Sequence, residues 1–219
     1  MMWILTAIFQ AIGQAFTWVF PVSESGHSVI FHNFSGRFTN ACSQLTGVIH
    51  IGIAIGLFIA FYKLFISLFK NFFATWNDIF HKRLDLKNIP PQREFMFMTI
   101  LSFVFFIVYA IPAGKYGNVY MLFNRTSHNK TILGEGVCIA LLIVTNSLIN
   151  SNRNKLPNWA NAVILGLIGF LALPTGGCSF MGAIFAFMIL LGMSQKYAIR
   201  YAVTMSVPPK IQQSLLCSC

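Results

Sequence analysis

A series of uninterrupted apolar runs constrains this chain more than any other feature. Met1–Phe20 carries no charge for twenty residues, Leu45–Tyr62 for eighteen and Phe95–Ala113 for nineteen. Leu133–Ile149 adds seventeen, with Glu135 near its start. A helix needs about 20 apolar residues to cross the hydrocarbon core, so these four runs read as spans or near-spans. Two shorter runs follow, Trp159–Leu173 and Phe180–Met193, on either side of Pro174-Thr-Gly-Gly-Cys-Ser179. Short apolar halves around a Pro/Gly break predict a re-entrant or broken helix, which a bilayer tolerates only where it lines a protein cavity. Composition removes the alternatives. Of 219 residues, 56% are hydrophobic and 9% charged, against roughly 25% charged in soluble domains. No soluble domain of this length buries so much apolar surface, and disorder needs the opposite balance. The expected fold class is all-α, a polytopic integral membrane protein forming a single membrane domain over residues 1–219.

The charge is lopsided, 15 Lys+Arg against 5 Asp+Glu. The basic residues lie between apolar runs rather than in one patch, so they point to membrane topology and not to nucleic acid. Lys70, Lys82, Arg83, Lys87 and Arg93 fall in one stretch, and Arg153 and Lys155 in another. By the positive-inside rule these stretches face the cytoplasm. Leu45–Tyr62 then runs inward, and the polar segment 21–43 belongs near the outer face. Met1–Phe20 has neither a basic n-region nor a small-residue cleavage site, which argues against a signal peptide. Its Thr6, Gln10, Gln14 and Thr17 form one polar stripe along a helix, suited to facing a cavity. The five cysteines show no disulfide or zinc spacing, and Cys138 reads as a small apolar residue.

Two stretches share a plan. Ala7–Phe31 places a Pro21-Val-Ser-Glu-Ser-Gly-His27 loop after an apolar helix, and Ala160–Met193 does the same with Pro174–Ser179. An odd number of expected spans separates them, so the copies have opposite orientations, as in inverted-repeat membrane proteins with a site between two broken helices. Repeat one covers about residues 1–69, repeat two about 133–219, with a basic cytoplasmic loop over 70–94.

The first loop concentrates polar chemistry. Glu24 is a carboxylate between apolar segments, where charge is costly and marks an ion or substrate path. A carboxylate can hold Mg²⁺ or Ca²⁺, and His27 can act as nucleophile or general acid. Ser23, Ser25, Gly26, Gly176, Gly177 and Ser179 offer hydroxyls and free N–H groups that can cradle phosphate oxygens. Ser23 and Glu24 equally suit a plain helix cap and first turn. Arg200 reads either as a phosphate partner or as a snorkelling anchor, and His50 as a buried hydrogen-bonding residue.

Gln14-Ala-Phe-Thr-Trp-Val-Phe-Pro-Val-Ser-Glu-Ser-Gly-His27 resembles the first signature of the undecaprenyl-pyrophosphate phosphatases, the bacitracin-resistance membrane enzymes. Gly47-Val-Ile-His-Ile-Gly-Ile-Ala-Ile55 resembles the segment that follows it. Pro174-Thr-Gly-Gly-Cys-Ser-Phe-Met-Gly182 resembles the second signature, and Gly192–Pro208 the segment after that. The resemblance implies hydrolysis of undecaprenyl pyrophosphate to the monophosphate and inorganic phosphate in a bacterial plasma membrane. It implies His27, Ser25 and Glu24 as catalytic residues and a divalent cation, Mg²⁺ or Ca²⁺, on Glu24. Gln14, Ser23, Gly26, Gly176, Gly177, Ser179 and Arg200 would bind substrate. The partners are a polyprenyl pyrophosphate lipid and the bilayer, with a homodimer left open. Departures fall at the chemistry. Trp18 stands at the family's second acidic position, Glu24 at a serine position and Cys178 at the arginine position. Glu24 would then supply the missing carboxylate, and Arg200 or Arg37 the missing cation. An alternative is a catalytically impaired lipid-carrier binding protein or flippase on the same scaffold. From Pro208 the sequence has twelve residues where the family continues, the mark of a shortened or truncated member.

Overall fold

The computed structural model describes residues 2–19, 44–83, 89–123, 128–149, 155, 157–175 and 177–217. Among them the chain is helical apart from short turns and one isolated bridge, Pro112 to Asn118. The helices are α1 (Met2–Val19), α2 (Gln44–Ala60), α3 (Tyr62–Phe80), α4 (Pro91–Ile107), α5 (Val119–Phe123), α6 (His128–Ile149), α7 (Trp159–Ala172), α8 (Phe180–Leu190) and α9 (Gln195–Cys217). The all-α membrane class therefore holds. Pro91–Ala110 and Thr131–Ile149 are each long and apolar enough to cross a bilayer. Their outward side chains, Leu133 and Ile143 at about 70% and 67% exposure among them, are what lipid would cover.

The expected span at Leu45–Tyr62 is shaped differently. α2 ends at Ala60, and the chain bends by 85° into α3. Residues 70–80, read from their charges as a loop, belong to this second helix. The reason lies in the aromatic spacing. Phe65, Phe69, Phe72, Phe73, Trp76 and Phe80 recur at helical intervals; Phe72 meets Phe73 edge to face and stacks on Trp76, which meets Phe80 edge to face. Phe65 is buried while Phe69, Phe73, Trp76 and Phe80 are exposed, the pattern of a helix lying in a membrane interface. Asp78 near its end accepts from Arg93 at 2.6 Å, tying it to the start of α4.

Four helices run side by side through the core. α4, α7 and α9 are parallel, as their contacts show in order. Phe97 meets Trp159, Ser102 donates to the Ala162 carbonyl at 2.7 Å, and Tyr109 stacks on Phe170. Phe95 packs on Tyr197, the Tyr201 hydroxyl lies 2.6 Å from Ser102, and Gln212 donates to the Phe106 carbonyl at 2.9 Å. α8 returns between α7 and α9. Gly166 and Gly169 permit this closeness, because a Cβ at either would meet Phe105, Phe106 or Phe180 at 3.1 Å or less. α2 packs along α9, and α1 along α2.

This order gives the bundle two ends. The starts of α4, α7 and α9 share one end with the turn at residues 191–194, where the Lys155 backbone donates to the Gly192 carbonyl. Arg93, Lys155 and Lys196 lie at that end, and Lys82 and Arg83 follow the helix that Asp78 ties to it. The opposite end holds the Pro174–Ser179 loop and the ends of α4 and α7.

Candidate functional site

The second signature loop separates two helices too short to cross. At 1.5 Å per residue, the 14 residues of α7 and 11 of α8 span about 21 and 16 Å, against about 30 Å of hydrocarbon. Gly169, just before the loop, faces Phe180 and Ile184 just after it, so the chain turns back on itself. Pro174 is buried, and Thr175 donates its hydroxyl to the Leu171 carbonyl, closing the end of α7.

Gly177 has φ +85°, and a Cβ there would lie 1.7 Å from the Thr131 carbonyl oxygen and 2.7 Å from the Glu135 nitrogen. The loop backbone thus rests directly on the first turns of α6. Thr131, Glu135 and Cys138 occupy one face of that helix by their four- and three-residue spacing, and Thr131 and Cys138 are buried. The Cys138 and Cys178 side chains are neighbours, and both cysteines are free thiols. Cys178 stands where the resembling family has arginine, so the loop itself carries no cation at this point. Ser179, 4% exposed, caps α8: its hydroxyl oxygen accepts from the Gly182 N–H at 3.1 Å. Gly176 lies outside the described residues.

Of the first signature, the structure describes α1. Gln14 and Thr17 are buried, and Thr17 donates to the Gln14 carbonyl at 3.1 Å. Among the described residues the Gln14 side-chain oxygen receives no hydrogen bond. A buried, unpartnered amide oxygen suits a hard cation or a hydroxyl donor. No group of three His, Cys, Asp or Glu gathers among the described residues. Ser23, Glu24, Ser25, Gly26, His27 and Arg37 lie outside them. Arg200 is exposed on α9, beside the fully buried Tyr201.

Sequence reading passed over Lys210, which is 1% exposed on α9. It follows Pro208 and Pro209, and α9 runs through both prolines and continues to Cys217. Each proline lacks the N–H that would reach back four residues. The adjacency of Cys138 and Cys178 had no signal in the sequence either, since it joins positions forty residues apart.

The profile described as Bacitracin resistance protein BacA matches residues 7–218. The chain belongs to that family. Proteins named undecaprenyl-diphosphatase are similar to it over most of its length. That of Alkaliphilus metalliredigens is 26% identical over 92% of this chain and 72% of its own. For Methanosphaera stadtmanae the figures are 28%, 97% and 76%, and for Halothermothrix orenii 30%, 94% and 71%. The bacitracin-resistance match includes both signature loops, so the family resemblance read from motifs extends across the helices between them.

Proposed function

We propose that the chain is a multi-pass plasma-membrane phosphatase that hydrolyses undecaprenyl pyrophosphate to undecaprenyl phosphate and inorganic phosphate. The observation that carries this reading is the family match over residues 7–218, spanning both signature loops. The geometry of the second loop supports it, since a short-helix hairpin with a capped α8 N-terminus presents N–H groups at the end of a bundle. That end lies opposite the basic end, which the positive-inside rule places in the cytoplasm, so the reaction belongs at the outer face.

In this reading a water attacks the terminal phosphorus and the bond to the bridging oxygen breaks, or His27 attacks first and a water then cleaves the N–P bond of the phosphohistidine to give inorganic phosphate. The electron pair leaves on the lipid monophosphate. Where water is the nucleophile His27 takes or returns the proton, Ser25 and Ser23 hold phosphate oxygens, and Glu24 is either the base or the ligand of a divalent cation. Gly26, Gly176, Gly177 and Ser179 supply donors around the headgroup, while Gln14 orients a hydroxyl or water with its buried oxygen. A divalent cation, held by Glu24 with the Gln14 oxygen, would add charge neutralisation at the phosphates.

The test is phosphate release from a polyprenyl diphosphate by membranes containing the chain, with Glu24→Gln and His27→Ala beside it. Each substitution is expected to lower the rate at least a hundredfold. Full activity in both removes these roles, and no release by the parent removes the reading. Cys178 favours a second reading, because a loop without a cation loses more catalysis than lipid binding. A lipid-carrier binder or flippase would move labelled diphosphate lipid across vesicles without releasing phosphate.

A further inference from the structure

Two thiols meet where the second loop rests on α6. Cys178 belongs to the Pro174–Ser179 loop and Cys138 to α6. Their side chains are neighbours, and both are free thiols. The loop sits at the end of the bundle opposite Arg93, Lys155 and Lys196, the end that the positive-inside rule places outside. Thiols stay reduced in the cytoplasm, whereas disulfides form and persist beyond it. The pair therefore lies on the side where oxidants act.

Helix geometry accounts for the meeting. The Gly177 backbone rests on the Thr131 carbonyl oxygen and the Glu135 nitrogen, 1.7 and 2.7 Å from where a Cβ would stand. A helical side chain tilts toward the N-terminus and covers the turn before its own Cα. Cys138 thus leans back over the level of Glu135, and the residue after Gly177 meets it there. The contact is held from the other side as well. α8 packs along α6, and Ser179, next to Cys178, is fixed as the α8 cap. Cys138 is 4% exposed, whereas Cys178 is half-buried. One member of the pair is accessible and the other is covered.

We propose that Cys138 and Cys178 are a thiol–disulfide pair, which a disulfide oxidant on the outer side converts to a cross-link locking the second loop to α6. The Cys178 thiolate attacks one sulfur of the oxidant R–S–S–R, which forms a mixed disulfide and releases one RS⁻. The Cys138 thiolate then attacks the Cys178 sulfur, the mixed disulfide breaks, and the second RS⁻ leaves. The two cysteines lose two electrons, the oxidant's sulfurs gain them, and the two thiol protons end on two RSH. A dithiol reductant runs both steps backwards. Reduced, the loop is seated on α6 by packing; oxidised, it is seated by a covalent bond on either side of which lie Gly177 and Ser179. Nothing in the exchange depends on a lipid headgroup, so the pair stands apart from the phosphatase reading.

The test uses the full chain in detergent micelles with Cys42, Cys217 and Cys219 changed to serine, which leaves the pair. Reduced protein is treated with glutathione disulfide, and its peptides are weighed by mass spectrometry without reductant. The expected product is a Cys138–Cys178 cross-link, lighter by two hydrogens than the separate peptides, and dithiothreitol should reverse it. Maleimide uptake by the unfolded chain should fall at least tenfold on oxidation. The oxidised parent should melt roughly 5 °C above the reduced one, because the cross-link constrains the unfolded chain. Cys138→Ser should stop at the mixed disulfide, with glutathione on Cys178. Cys178→Ser should take up glutathione at least tenfold more slowly than Cys138→Ser, because Cys138 is covered. Adding Gly136→Cys to Cys138→Ser puts the α6 thiol at an exposed position, from which no cross-link to Cys178 should form. Glutathione persisting on Cys178 of the parent beside a free Cys138 thiol overturns the proposal, as does an oxidised parent that keeps both thiols. A cross-link as abundant from position 136 overturns it too, since the loop would then lack a fixed seat.

Discussion

Gly177 shows how one residue can fix a loop. Its φ of +85° is open to glycine and strained for other residues, and the space where a Cβ would sit is filled by backbone of α6, at 1.7 and 2.7 Å. Backbone cannot swing away as a side-chain tip can. Gly177→Ala is therefore expected to destabilise the purified protein by roughly 3 kcal/mol and to loosen the loop. Gly136, on the same α6 helix with nothing within 4 Å of its would-be Cβ, is the matched control. Gly136→Ala should leave stability unchanged or raise it by about 0.5–1 kcal/mol. Tryptophan-fluorescence melts of the two variants decide it, and equal melting temperatures would contradict the close contact. The sequence placed Gly177 among residues that cradle phosphate, but the demand for glycine comes from α6. That contact joins segments some forty residues apart, and no local pattern encodes it.

At the level of elements, the short helices hold their places through polar contacts rather than length. α8 has 11 residues and begins at the Ser179 cap. Ser179→Ala removes the acceptor for the Gly182 N–H and should cost about 1 kcal/mol, whereas Ser179→Thr or Ser179→Asp should retain most of it. A loss of phosphate-release activity in Ser179→Asp at unchanged melting temperature would separate a phosphate contact from the cap. Ser102 links three helices at once, donating to Ala162 of α7 and meeting the Tyr201 hydroxyl of α9. Both groups are fully buried, so Tyr201→Phe should cost about 1 kcal/mol, read as a lower denaturation midpoint.

The elements themselves were legible to different degrees, for physical reasons. α4 and α6 stand out because a continuous apolar stretch of spanning length has few other fates. α3 was obscured because Lys70, Lys82 and Arg83 drew attention from the aromatic stripe that makes the segment an amphipathic helix. The end of α9 was hidden by Pro208 and Pro209, since local rules favour a stop at proline and packing against α2 overrides them. The second loop was legible from Pro174 and its glycines. Its seat on Thr131 and Glu135 was set by helix packing and not by spacing along the chain.

For the molecule as a whole, the two ends of the bundle turn a charge count into a topology. Arg93, Lys155 and Lys196 gather at the end where α4, α7 and α9 begin, although they are far apart in sequence. α4 and α6 are each long and apolar enough to cross, and Lys115, exposed between them, lies at the opposite end with the second loop. Charges that are exposed at one end of a bundle carry the inside signal, because moving them through the hydrocarbon during insertion costs several kcal/mol each. Lys82→Cys and Lys196→Cys should then react with a membrane-impermeant maleimide only after the cells are opened, and Lys115→Cys in intact cells. The background for this labelling is a chain with Cys42, Cys217 and Cys219 changed to serine. The same experiment bears on where the substrate is met, because the loop and Lys115 share one end of the molecule. Labelling of Lys196→Cys from outside would reverse the bundle and put the Pro174–Ser179 loop, and with it any diphosphate hydrolysis, on the cytoplasmic side.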